Sequence, residues 1–244
     1  MVRPVNENLD RPVLPPVDPL RSLQPAPDAV TPEAFAALLV DGDVDLAVWA
    51  LRVALSGRPR ADVYDTLVHD AMRLIGESWS KGRWTISEEH LASHTLGSAL
   101  VAVAPMVSPA DRIGPLAVVS CVTGGEHSLG LITLEHVLRD AGWSVANLRQ
   151  DVPPDDLARY AARAQARLVA LSAALDLELD KITEAVSALR AIPEPPSIMV
   201  GGRLAEIANL HALGVDWTGT SLRSAQRFAN EVRLRLPATD DLDA

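Results

Sequence analysis

The stretch that decides the fold runs from residue 116 to residue 130: Leu116-Ala-Val-Val-Ser-Cys-Val-Thr-Gly-Gly-Glu-His-Ser-Leu-Gly130. Its first four residues are an unbroken apolar run, the mark of a strand buried on both faces. A loop of small residues follows and opens into a helical pattern, with one histidine, His127, at its crest. Such a strand–loop–helix passage suits the holding of a large ligand over the edge of a sheet. Gly124, Gly125 and Gly130 let backbone approach closely because no Cβ stands in the way. His127 offers a neutral imidazole to a metal.

Downstream of this passage the hydrophobic period repeats. Apolar runs at 116–119, 144–148, 168–171 and 197–200 alternate with helical stretches near 129–141, 155–165, 179–191, 203–212 and 221–235. A short strand near Val215 completes five. Strands separated in this way by helices predict a parallel, doubly wound sheet over residues 116–236. Ligands of such sheets lie at the carboxyl ends of the strands, near the switch point.

Upstream, from 31 to 105, the pattern is helical throughout. Helices are expected near 32–40, 44–56, 61–80 and 86–103. Thr31 is suited to cap the first with Pro32 in its opening turn, and Asp43 to cap the second. Gly57 ends the second, and Val63, Leu67, Met72 and Ile75 of the third fall near one face. Short breaks at Asp41-Gly42 and Gly57-Arg58-Pro59 join antiparallel helices in a bundle. Residues 106–115 read as a linker. Residues 1–30 hold seven of the 18 prolines and read as an extended tail, and 237–244 as a second tail.

Composition bounds the function. The chain has 244 residues, 48% hydrophobic and 22% charged, with a net charge of −10. Length and apolar content suffice for a core and for two domains. The acidic balance, with no basic run, argues against direct nucleic-acid binding. The single cysteine, Cys121, excludes an intramolecular disulfide and suits a reducing, cytoplasmic setting. No apolar stretch reaches the roughly 20 residues of a membrane span, and no secretory signal is expected.

Four features are expected to meet at one sheet edge: His127 with its glycines; Leu171-Ser172-Ala173-Ala174; Val200-Gly201-Gly202-Arg203; and Gly214-Val215-Asp216 with Thr218-Gly219-Thr220. Each has a plain alternative. Gly201-Gly202 suits an ordinary strand-end turn and Ser172 a helix cap. Together they describe a deep, narrow slot between sheet and helices.

At these residues the chain resembles the cobalamin-binding domain family, whose members carry Asp-x-His-x-x-Gly after the first strand, Ser-x-Leu after the third and Gly-Gly after the fourth. The resemblance implies that His127 is the lower cobalt ligand in place of the cofactor's own dimethylbenzimidazole. The displaced nucleotide tail then fills the slot along Ser172, Gly201 and Gly202, with Gly130 in the turn. It also nominates the loop residues Gly125, Glu126, Ser128 and Leu129, and Ala174, as cofactor contacts. Two positions depart from the pattern: Gly125 stands for the Asp and Ala174 for the Leu. Another group must then set the tautomer of His127, because a metal-bound histidine donates its second N–H to something.

The helical half extends the resemblance. Trp79 is followed after nine residues by Glu89-His90, which is similar to the Trp-x9-Glu-His signature of the CarH-type cobalamin photoreceptors. In that family a four-helix bundle covers the upper cobalt face, the Trp packs on an adenosyl group and the Glu-His pair contacts it. The resemblance covers about residues 31–236. On residue chemistry alone, Trp79 suits a core or staple position and Glu89-His90 a solvated pair. Where those repressors carry a second histidine after the Trp, this chain has Ser80. His94, one turn beyond His90, is a conceivable substitute, although a buried, hydrogen-bonded histidine is the simpler expectation for it.

The resemblance therefore implies an α plus α/β protein, a four-helix bundle followed by a Rossmann-like sheet domain. It implies a non-enzymatic light sensor binding adenosylcobalamin. No DNA-reading domain is expected before the bundle, so signalling is expected through a protein partner or through homo-oligomerisation. A related branch, the photocobilins, adds a bilin such as biliverdin. Trp49, Trp84 and His69 are candidates to wall such a site, and no cysteine is placed to attach it. The alternative reading is a corrinoid carrier for methyl transfer, which pairs a bundle with the same α/β domain.

Overall fold

The computed structural model describes residues 30–105, 114–121, 129–149, 152–173, 179–207 and 209–236, except the side chains of 206 and 207. The chain divides into two compact units. One comprises residues up to Arg58 together with Thr66–Ala99, and the other Pro59–Asp65 together with Leu100 onward. The expected tails and the linker up to residue 113 lie outside the described residues.

The first unit is helical. Helix α1 (Pro32–Asp41) starts where the Thr31 hydroxyl accepts the Ala34 N–H, and ends at Gly42, whose φ of 78° lets it close the helix. Helix α2 (Val44–Leu55) is capped by the Asp43 carboxylate, which accepts the Leu46 N–H at 2.9 Å. A helical run from residue 60 to 80 comes next, in three parts: α3 (Arg60–Val63), a π-turn (Tyr64–Val68) and α4 (His69–Ser80). Helix α5 spans Ile86–Ala102. Phe35, Leu39, Ala47, Leu51, Ile75, Ala92 and Leu96 are fully buried here.

The expected helix over 61–80 thus contains a wide turn that the apolar period did not announce. A π-turn takes more residues than an α-turn and rotates the faces on either side of it. Buried Ala61 and Val63 precede it and, with Tyr64 at its start, belong to the second unit; buried Ala71 and Ile75 follow it and belong to the first.

The second unit is the α/β domain. Its strands are β1 (Leu116–Cys121), β2 (Ser144–Asn147), β3 (Leu168–Ser172), β4 (Ser197–Gly201) and β5 (Trp217–Gly219). They form one parallel sheet in the order β2-β1-β3-β4-β5. Helices α6 (Leu129–Asp140) and α10 (Leu222–Arg235) cover one face, packing on Val119, Cys121, Ala170 and Met199. Helices α7 (Pro154–Arg163), α8 (Leu179–Arg190) and the short α9 (Leu204–Ile207) lie on the other, over Val118, Val169, Leu171 and Val200. The expected architecture, helices followed by a Rossmann-like parallel sheet, is the one found.

Two details differ. The expected helix over 203–212 is broken into α9 and a 3₁₀ turn (Leu210–Leu213), because Asn209 between them adopts a non-helical ψ of 76°. The last strand begins two residues after Val215. Gly214 turns with φ 91°, and Arg190 donates to the Gly214 carbonyl and to the Asp216 carboxylate. This holds the chain at the sheet's edge until Asp216, whose N–H reaches Ile198 O at 2.9 Å.

Candidate functional site

The strand order reverses between β1 and β3, so the loops after these two strands flank the switch point, where doubly wound sheets take their ligands. His127 belongs to the first of these loops. With Gly124, Gly125, Glu126 and Ser128 it lies outside the described residues, as does Ala174 of the second loop.

The described rim of the sheet has one ordered feature. Cys121 pairs in register with Ser172, Ser172 with Gly201, and Gly201 with Gly219. Residues in register project to the same face of a sheet, and Cys121 packs on the α6/α10 face. The top row of that face is therefore Cys, Ser, Gly, Gly. The row beneath it is Val119, Ala170, Met199 and Trp217, all packed in the core. Side-chain volume falls from that row to Ser172 and Gly201 at the rim, while the Trp217 ring lies against Gly219. Small residues at these strand ends suit close approach by a flat group such as a nucleotide tail, so the residues present fit the cofactor that the sequence pattern implies.

The expected convergence of four features is corrected in one part. Ser172, Gly201 and Gly219 share the rim, but the Gly214-Val215-Asp216 turn precedes β5 and so stands at the opposite edge. Its work there is structural: Arg190 reaches Gly214 O at 2.6 Å, Asp216 at 2.6 Å and Pro196 O at 3.1 Å.

The glycines divide by physical role. Gly202 has φ 99°, and a Cβ on it would run into the backbone carbonyl of Ala173. Its lack of a side chain is required by the joining of β3 and β4. Gly201 faces only Gly219 O, at 3.4 Å from an added Cβ. Gly130, exposed in the first turn of α6 beside half-buried Leu129, has open space where its Cβ would be. Arg203 is exposed.

On the helical unit, Trp79 is 48% exposed near the end of α4. That excludes the core position its chemistry alone suggested. Glu89 and His90 stand at the start of α5, with Glu89 Oε2 2.6 Å from His90 Nδ1 and Glu89 Oε1 accepting from Ser93 Oγ at 2.9 Å. The pair is held in one geometry while the His90 ring stays open to solvent. His94 is exposed, not buried as expected. Ser80 Oγ donates to Glu77 O. Arg73 and Lys81 hold the Glu77 carboxyl below the usual carboxylate range. Trp49 is 36% exposed, Trp84 half-buried and His69 exposed.

Beyond the residues that sequence reasoning named, the α/β unit holds a polar cluster. Tyr64 Oη lies 2.8 Å from His136 Nδ1, and Arg60 donates to Tyr64 Oη at 3.1 Å, to Asp140 Oδ2 at 2.8 Å and to Val103 O at 2.9 Å. Burial, with Arg60 and Arg139 nearby, pushes His136 down to about 4. Burial likewise raises Tyr64 against the opposing pull of Arg60. No sequence motif announces this cluster. On the α7/α8 face, a cavity of about 220 Å³ lies between Cys121, Pro153, Leu157, Leu171, Lys181 and Glu184.

Residues 115–225 match a family described as B12 binding domain, and residues 32–103 match a second of the same description. The chain is 30% identical over 155 residues to the HTH-type transcriptional repressor CarH of Myxococcus xanthus, covering 62% of this chain and 50% of that protein. It is 22% identical over 193 residues to dimethylamine corrinoid protein 1 of Methanosarcina mazei, covering 77% and 89%. This chain spans about half the length of the repressors it matches. The structure of the Methanosarcina barkeri monomethylamine corrinoid protein superposes with a TM-score of 0.69 at 18% identity, over 82% of this chain and 97% of that one. At that identity the likeness is one of fold.

Proposed function

From the two matches to B12 binding domains, over residues 32–103 and 115–225, we propose that the chain is a cobalamin-dependent light sensor. The observation that carries the reading is an exposed Trp79 with nine residues between it and the braced Glu89–His90 pair. An aromatic plane left 48% open to solvent has a face to lend to a ligand, and the 30% identity to a transcriptional repressor supports a regulatory role. Bound adenosylcobalamin supplies a cobalt–carbon bond that visible light breaks. In this reading His127 binds cobalt from below, and Ser172, Gly201 and Gly202 line the tail. Trp79, Glu89 and His90 cover the upper ligand.

Signalling then passes through a change in conformation or assembly, or through a protein partner, in the cytoplasm. A net charge of −10 opposes direct contact with phosphates. Among the described residues no helix is long and apolar enough to cross a membrane. A bilin as second chromophore belongs to the same reading, with Trp49, Trp84 and His69 as its candidate walls.

One observation favours a second reading, a corrinoid methyl carrier: the chain spans 89% of the Methanosarcina mazei corrinoid protein's length. The deciding experiment loads purified protein with adenosylcobalamin or methylcobalamin, then follows absorbance, elution volume and scattering in darkness and light. A sensor prefers the adenosyl form and changes size or shape on illumination. Equal affinity for both forms, with unchanged size and shape, rejects the sensor and leaves the carrier. Absorbance above 600 nm that survives cobalamin removal would reveal the bilin.

A further inference from the structure

The segment 60–65 precedes the α/β domain by some fifty residues yet packs as part of it. All its polar side chains reach the same two helices. Asp65 accepts the Leu222 N–H at 2.7 Å on Oδ1, and the Ser221 hydroxyl at 2.8 Å and the Arg223 N–H at 3.1 Å on Oδ2. It thereby caps α10 from 157 residues away, satisfying N–H groups that a helix leaves unpaired at its start. Asp62 Oδ1 accepts from Arg223 Nε at 2.5 Å. On α6, Arg60 holds Asp140 in the last turn and Tyr64 meets His136 one turn earlier.

Helices α6 and α10 are the two that cover the sheet face carrying Ser172 and Gly201. Below the rim, their distance from the sheet is fixed by the packed row Val119, Ala170, Met199 and Trp217. At the rim, Cys121, Ser172 and Gly201 offer little side chain to prop them, and only the Trp217 ring leans over Gly219. Asp65 acts at the end of α10 that directly follows Gly219-Thr220, the rim itself. We propose that Arg60, Asp62, Tyr64 and Asp65 are positioning residues that set the width of the nucleotide-tail slot by pinning both covering helices from outside. They touch no cofactor. Their effect is confined to ligands that enter the slot.

This proposal rests on the nucleotide tail occupying the slot, and a tail-less corrinoid separates the two ideas. Spectral titration of the full chain with cyanocobalamin and with dicyanocobinamide, which lacks the tail, reads both. For Asp65→Ala the Kd for cyanocobalamin rises tenfold or more while that for cobinamide changes less than twofold. Asp65→Asn, which keeps one acceptor oxygen and is the milder variant should the alanine form fold poorly, gives a smaller loss with the same selectivity. Equal loss for both corrinoids, or loss for neither, overturns the positioning role and leaves cobalamin binding intact. Wild-type protein that binds neither corrinoid overturns the cobalamin reading itself, and the proposal with it.

Discussion

Tyr64 Oη and Nδ1 of His136 lie 2.8 Å apart, hydrogen-bonded in the buried part of the α/β unit. Arg60, which is only ever a donor, shares the same oxygen: its Nη1 lies 3.1 Å from Tyr64 Oη. Burial and the flanking arginines favour the neutral imidazole, pushing the pKa of His136 down to about 4.

Acid should accordingly destabilise the chain through this residue. The unfolded chain takes up a proton at His136 near pH 6.5, whereas the folded chain resists until about pH 4. Stability contributed here is complete above pH 6.5 and is lost as pH falls towards 4, by ~3 kcal/mol at most. His136→Asn keeps an acceptor for Tyr64 and cannot titrate. Urea unfolding of both proteins between pH 7 and 4.5 is expected to show a shallower decline for the variant. Parallel declines would mean that carboxylates alone drive the acid loss.

The glycines of the rim make opposite predictions. Gly202→Ala meets the Ala173 carbonyl at a φ of 99° and should cost about 1–3 kcal/mol of stability whether or not ligand is present. Gly130→Ala meets open space in a helical turn and should be neutral, or stabilising by up to ~1 kcal/mol. If Gly130 is where corrinoid approaches backbone, the same variant loses cobalamin affinity while melting no lower. Thermal melts of the cofactor-free proteins beside spectral titrations separate the two glycines.

How much of this was legible in sequence follows from the range of the interactions. The run Leu116–Val119, the caps Thr31 and Asp43, and the alternation of strand and helix are local patterns, and they give the architecture. The rim row is not local, because Cys121, Ser172, Gly201 and Gly219 become neighbours only through parallel register. The Gly214 turn falls at the edge opposite to the expected one, because a strand that starts at Trp217 and not at Val215 reverses which end the turn occupies. Arg60, Tyr64 and Asp65 look like ordinary surface positions of a helix until the π-turn redirects them to the second unit. His94 carries no local signal that tells a buried histidine from an exposed one.

Trp79 tests the upper face. At 48% exposure its truncation to alanine should change stability by about 1 kcal/mol or less. In the sensor reading the same variant still binds cobalamin but no longer distinguishes adenosyl from methyl forms, since the covering ring is gone. Competition titrations with the two forms measure this. Wild-type protein with no preference to lose would remove Trp79 from the upper ligand.

His127 tests the lower face, and the other histidines serve as its controls. As the axial ligand it should not be replaceable: His127→Ala is expected to lose the histidine-bound cobalt spectrum and to bind cobalamin on the order of tenfold or more weakly. His90→Ala and His94→Ala change exposed rings on α5 and should keep that spectrum in darkness. Added imidazole offers the missing ligand back, so it should restore the spectrum of His127→Ala in proportion to its concentration. An unaltered spectrum and affinity in His127→Ala would take cobalt away from this residue. A change only after illumination in His94→Ala would instead identify that ring as the group that takes the upper position, the role that Ser80 cannot fill.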